Sequence, residues 1–143
     1  MEQLNHLPNA RSLGPHLLVC AQPDPGHWAE VKAAGAIQVI NLCEPKEYPY
    51  DEAKAVLAAG MAFISIPVAV PGGVNVDNAR LLHEAMATGP SVIHCSTGNR
   101  VAALLALRAF HLEDEDIEQA LACGRAAGLT KLEPLVKECL QAN

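Results

Sequence analysis

Residues 91–107 constrain the fold more than any other stretch of this chain. Ser91-Val-Ile-His94 reads as an apolar strand that ends at Cys95. The tight loop Ser96-Thr-Gly-Asn99 follows, and Arg100 opens the strongly apolar Val101-Ala-Ala-Leu-Leu-Ala-Leu107. An apolar strand that passes through a four-residue loop into an apolar helix belongs inside a layered α/β structure. The same junction sets a thiol at the base of an anion cradle. Backbone N–H groups at a helix start are unpaired, and the helix dipole adds partial positive charge there.

The rest of the chain repeats the alternation. Strand patterns occur at 17–20, 37–42 and 62–67, and helical spacing runs over 25–34, 51–59, 77–88 and 99–111. Gly35, Gly60 and Gly89-Pro90 close three of these segments. The acidic run Glu113-Asp-Glu-Asp116 begins another helix, with its charges complementing the dipole. A last helix covers 132–141. The pattern predicts one α/β domain over residues 1–143: a mostly parallel central sheet flanked by helices, with further helices at the C-terminal end. Ligands of such sheets bind beyond the carboxyl ends of the strands, which is where Cys95 stands.

Net charge argues against several partners. The chain carries −6, and its ten Lys and Arg residues form no run. A nucleic-acid or anionic-membrane surface is therefore not expected. No apolar run approaches the ~18–20 residues that span a bilayer. The N-terminus lacks a basic region before an apolar stretch, so no secretory signal is read there. Five cysteines form an odd set without metal-site spacing, and the six histidines are scattered. These features predict a cytoplasmic protein with no disulfide framework, no metal and no cofactor. The alanine-rich helices could pack internally or against a second copy, so homo-oligomerisation stays open.

Site residues follow from the loop. Cys95 is the expected nucleophile, and Arg100 offers a planar, permanently charged fork to a tetrahedral oxyanion. Gly98 permits a backbone conformation closed to other residues. Ser96, Thr97 and Asn99 either contact the substrate or satisfy the loop internally, and Asn99 could cap the helix. His94 is expected to support the loop structurally, because strand alternation points its side chain away from that of Cys95. Asp77, after the turn-rich Pro71-Gly-Gly73, is the candidate general acid, or else an N-terminal cap of the next helix. Glu44, Glu47 and Asp51 compete with it from the loop after the second predicted strand. Cys43 ends that strand at the same edge as Cys95; it is either a simple strand-end thiol or the partner in a reversible disulfide.

The loop resembles the cysteine phosphatase signature, with four residues between cysteine and arginine where protein tyrosine and dual-specificity phosphatases have five. Gln22-Pro23, Ala33-Ala-Gly35, Val39-Ile-Asn-Leu42, Ile66-Pro-Val68, His94-Cys-x-x-Gly-x-Arg100 and Ala120–Gly128 widen the match. Together they resemble the bacterial phosphatase-like family related to beta-lactamase-hydrolase-like proteins. The resemblance implies a cysteine-phosphatase-like fold and phosphatase activity on a phosphomonoester, either protein phosphotyrosine or a small molecule. Two positions depart from the pattern. Cys43 stands where the family usually has arginine, and Val101 where phosphatases commonly carry Ser or Thr. Rhodanese-type sulfurtransferases hold their cysteine in a loop of four residues, so a sulfane sulfur donor is the alternative anionic substrate; a non-catalytic oxyanion-binding module whose Cys95 serves redox sensing is the third reading.

Overall fold

A computed structural model of the chain describes residues 1–142. Its sheet has five strands: β1 (Arg11–Ser12), β2 (Leu17–Cys20), β3 (Gln38–Asn41), β4 (Ala62–Ser65) and β5 (Ser91–His94). They lie in the order β1-β2-β5-β3-β4. Only β1 is antiparallel to its neighbour; the other pairings are parallel. β5 is central, and its last residue, His94, pairs with Cys20 on one side and Asn41 on the other. The Leu42 amide donates to the His94 carbonyl at 2.9 Å, so the ladder continues up to Cys95.

Alternation along the three inner strands builds two cores. Val19, Ile93 and Ile40 share one row and join the larger core; Leu18, Val92 and Val39 share the next row and join the smaller one. The smaller core holds Trp28 and Val31 of α1 (Trp28–Ala33), Val56 of α2 (Glu52–Ala58) and the N-terminal Leu4 and Leu7. The larger core receives α3 (Val76–Met86), α4 (Asn99–Leu112), α5 (Ile117–Ala126) and α6 (Glu133–Gln141). α4 is buried continuously from Arg100 to Leu107, which explains its apolar sequence. Each fully buried leucine there contributes about 1.5–3 kcal/mol. α5 closes on α4 at Gly124, where an added Cβ would stand 3.1 Å from Ala106 Cβ and 3.5 Å from the Ala102 carbonyl.

Several boundaries differ from the sequence reading for local reasons. The segment expected to open a helix at Pro25 is a 3-10 turn over Pro25–His27, and α1 proper starts at Trp28. Asn75, not Asp77, caps α3, accepting from the Asn78 amide at 2.8 Å. The acidic run 113–116 precedes its helix: Asp116 caps α5 through the Gln119 amide, and Gln119 reaches back to the Asp116 amide. β1 is two residues long, too short for any periodicity to announce. Among the described residues no helix is long and apolar enough to cross a membrane.

Candidate active site

Cys95 leaves the end of β5 fully buried. Its sulfur accepts the Gly98 amide at 3.0 Å. Gly98 caps α4 with φ +99°, a left-handed conformation that strains any residue bearing a Cβ. The loop is pinned from outside. The Ser96 carbonyl accepts from the Gln22 amide at 3.4 Å, and the Thr97 carbonyl from Asn9 Nδ2 at 3.2 Å. Thr97 Oγ1 accepts from the Asn99 amide at 3.4 Å, an internal loop contact. Asn99 turns away from the sulfur: its Oδ1 accepts from the amides of Thr130 (3.0 Å) and Leu132 (3.3 Å). That side chain ties the start of α4 to the α5–α6 connector and is not the helix cap.

Arg100 is held over the same loop by a partner that the sequence suggested in another role. Glu47 ends the 3-10 turn Pro45–Glu47 beyond β3. Its Oε2 accepts from Arg100 Nη1 and its Oε1 from Nη2, both at 2.8 Å. The Glu44 amide also donates to Oε2, at 2.7 Å. These hydrogen bonds, that from Arg100 foremost, hold the Glu47 carboxyl down at about 2, far below the usual range for glutamate. Arg100 Nη1 further donates to the Val68 carbonyl at 3.1 Å, and Nη2 to Ser96 Oγ at 3.2 Å. Nε alone of its guanidinium nitrogens has no hydrogen-bond partner among the described residues. Cys43, at the position where the family usually has arginine, accepts from Arg100 Nη2 through its sulfur at 3.8 Å. Burial pushes the Cys43 thiol up to about 12. All five cysteines are free thiols.

Behind the loop lies a cluster that the sequence reading missed. His94 and Glu52 are both fully buried as side chains, and His94 Nε2 meets Glu52 Oε2 at 2.6 Å. Asn41 Nδ2 donates to the same oxygen at 3.1 Å, and Gln22 Nε2 to Oε1 at 2.6 Å. His94 Nδ1 is 3.4 Å from the Cys95 carbonyl, and the Trp28 ring centre is 6.1 Å from that of His94. The imidazole therefore faces α1 and α2 while Cys95 joins the opposite core, as alternation requires. A signal existed for Glu52: it precedes Val56 by one helical repeat, which puts a carboxylate on the buried face of α2.

The remaining acids are placed elsewhere. Asp77 is exposed on the first turn of α3. Its neighbours Asn75 and Val76 line a cavity with Leu107 and His111, which lie along α4 about 10 and 16 Å of helix rise beyond Arg100. The structure does not bring Asp77 to Cys95. Asp51 caps α2, accepting from the Lys54 amide at 3.2 Å. Among the described residues no group of three or more His, Cys, Asp or Glu side chains is arranged to hold a metal ion.

Chains of known structure share this arrangement at low identity. A DUF442 protein of Shewanella putrefaciens CN-32 superposes with a TM-score of 0.71 at 23% identity, covering 99% of this chain and 97% of that one. TpbA of P. aeruginosa gives 0.70 at 19% identity, over 94% of this chain and 84% of its own. Tk-PTP in its active form gives 0.72 at 19% identity, with 94% and 95% covered. At these identities the likeness shows the fold, which is that of the cysteine phosphatases. No curated protein sequence matches the chain. The model of the beta-lactamase hydrolase-like protein, phosphatase-like domain, matches residues 9–111, well over half of the chain, which therefore belongs to that family.

Proposed function

We propose that this protein is a cysteine-dependent phosphomonoester hydrolase. The observation that carries the reading is Cys95 Sγ at 3.0 Å from the Gly98 amide, in a loop that Arg100 closes from above. In the first step the sulfur of Cys95, as thiolate, attacks phosphorus; the S–P bond forms while the bond to the leaving oxygen breaks. Loop amides and Arg100 Nε meet the charge on the equatorial oxygens. Water then attacks the phosphocysteine, the S–P bond breaks, and inorganic phosphate leaves with the thiolate restored.

Protonation of the leaving oxygen shapes the substrate range. The acid that stands closest to the loop by hydrogen bonding, Glu47, is held as a carboxylate by Arg100, and Asp77 is distant. A leaving group that departs readily as an anion suits this site best, which favours aryl over alkyl phosphates. One of the structures similar in fold is a TpbA variant crystallised with pTyr, in keeping with an aryl phosphate.

Turnover of a generic aryl phosphate is the test, with Cys95→Ser alongside and vanadate binding measured for both. Hydrolysis that disappears in Cys95→Ser while vanadate still binds is the expected result. Thiocyanate production from thiosulfate and cyanide, with one added sulfur on Cys95 and no phosphate release, would replace this reading with sulfur transfer.

A further inference from the structure

A polar cavity of about 470 Å³ flanks the Cys95 loop on its outer side. Thr97, Gly98 and Asn99 form its inner wall, Asn9 and Arg11 one flank, and Thr130 and Lys131 the other. It has two cations and no carboxylate in its lining, in a chain whose net charge is −6. The side chains of Arg11 and Lys131 make no hydrogen bond or ion pair among the described residues. Arg100, Arg108 and Arg125, by contrast, are each paired with a glutamate. Two uncompensated cations facing one cavity repel each other, and an anion between them relieves that repulsion.

The cavity is built, not merely exposed. Asn9 is fixed to the Thr97 carbonyl, and Asn99 is fixed to Thr130 and Leu132. Both flanks are thereby referenced to the catalytic loop. At Gly128 a Cβ would stand 3.5 Å from Arg11 Nε, so the α5–α6 turn brings bare backbone close to that guanidinium. Thr97 and Gly98, in its inner wall, follow Cys95 by two and three residues, so their Cα atoms lie within about 10 Å of that of Cys95.

The geometry points to a second anion subsite, in which Arg11 and Lys131 hold a second phosphate of the substrate whose first phosphate sits at Cys95. The substrate class is a small bisphosphorylated molecule. This inference rests on the phosphatase reading of Cys95, and its test separates the two.

The probes are benzenediol and biphenyldiol bisphosphates of graded P–P separation and the corresponding aryl monophosphates, whose leaving groups suit the site, assayed with the full chain and with R11A/K131A. Both replaced side chains are exposed, so melting temperature serves as the control for folding. Wild type is expected to favour a bisphosphate in kcat/KM by about tenfold, the combined effect of two partly exposed ion pairs. In R11A/K131A, or in wild type with added KCl, the ratio falls to the statistical advantage of carrying two equivalent phosphates. A ratio at that statistical value in wild type, or one that R11A/K131A leaves unchanged, overturns the subsite while the phosphatase reading stands. If neither probe is hydrolysed, the phosphatase reading fails, and Cys95→Ser is titrated with the bisphosphate by amide NMR. Shifts at residues 128–131 that vanish on adding R11A/K131A support an anion subsite; no shift there overturns it.

Discussion

Replacing Glu52 with alanine removes a carboxylate that three side chains share. His94 Nε2 at 2.6 Å and Asn41 Nδ2 at 3.1 Å belong to fully buried residues, and Gln22 Nε2 at 2.6 Å is partly buried. Both buried donors then lose the acceptor that the fold provides. Two orphaned buried donors at about 1–3 kcal/mol each give about 2–6 kcal/mol. Breaking a buried pair by deleting one member gives about 3–5 kcal/mol by a separate route. For a domain of this length that corresponds to a melting temperature lower by roughly 6–20 °C. Glu52→Gln keeps the volume and one acceptor oxygen but sets an NH₂ against the remaining donors, so a smaller loss of about 1–3 kcal/mol is expected. Urea denaturation read by tryptophan fluorescence suits the question, because Trp28 is the single tryptophan and its ring centre lies 6.1 Å from that of His94. The double variant with His94→Ala should show a coupling energy above about 1 kcal/mol. A Glu52→Ala protein within about 0.5 kcal/mol of wild type, at unchanged m-value, would refute the reasoning.

Glu47→Gln should weaken vanadate inhibition by about tenfold, since Arg100 loses the bidentate partner that orients it over the loop; an unchanged inhibition constant would show that Arg100 is positioned without it. The pH dependence has a definite sign. The Glu47 carboxyl is depressed to about 2, so its stabilisation is complete above the ordinary glutamate value of about 4.3 and is lost as pH falls towards 2. The stability gap between wild type and Glu47→Gln, measured by urea midpoint, should be flat from about pH 5 to 7 and narrow below about pH 4. Gly124→Ala places a Cβ 2.8 Å from Leu129 Cδ2 and 3.1 Å from Ala106 Cβ. Overpacking of about 1–3 kcal/mol outweighs a helix-propensity gain of about 1, so the melting temperature should fall, and a rise would mean that α5 moves away from α4 without penalty.

Sequence reading succeeded where one local pattern carried its own physical reason. The apolar β5 sequence, the glycine at a left-handed position and the apolar α4 are each legible alone, and together they locate Cys95 and Arg100. It failed where the deciding partner lies far along the chain. Glu47 looked like a spare acid in a polar loop until the fold set it against Arg100, 2.8 Å away. Asn99 looked like a cap or a ligand, yet its bonds go to Thr130 and Leu132, which no local spacing connects with the loop. Asp77 followed a glycine-rich turn at a plausible distance from the cysteine, but α3 begins beside the far part of α4. Glu52 alone left a readable trace, a charged residue in phase with Val56 on the buried side of a short helix.

These distant partners hold the loop in one shape without help from any ligand. Six separate segments fix it: Gln22 and Asn9 on its outward carbonyls, Glu47 and Val68 on the guanidinium, Thr130 and Leu132 at the start of α4, and Glu52 on the histidine beneath. Each anchor comes from a different element, so losing one leaves the loop constrained by the others. Oxyanion stabilisation is strongest when donors need no reorganisation at the moment of reaction. Under the proposed phosphatase reading, a loop of four residues, Ser96 to Asn99, gives less backbone with which to close around phosphate than a loop of five, and preorganisation from outside would offset that. Asn9 holds the loop backbone at Thr97 and Thr130 the side chain of Asn99, while their neighbours Arg11 and Lys131 line the adjoining cavity, so under the proposed anion subsite a group bound there would be registered against Cys95 through the loop itself.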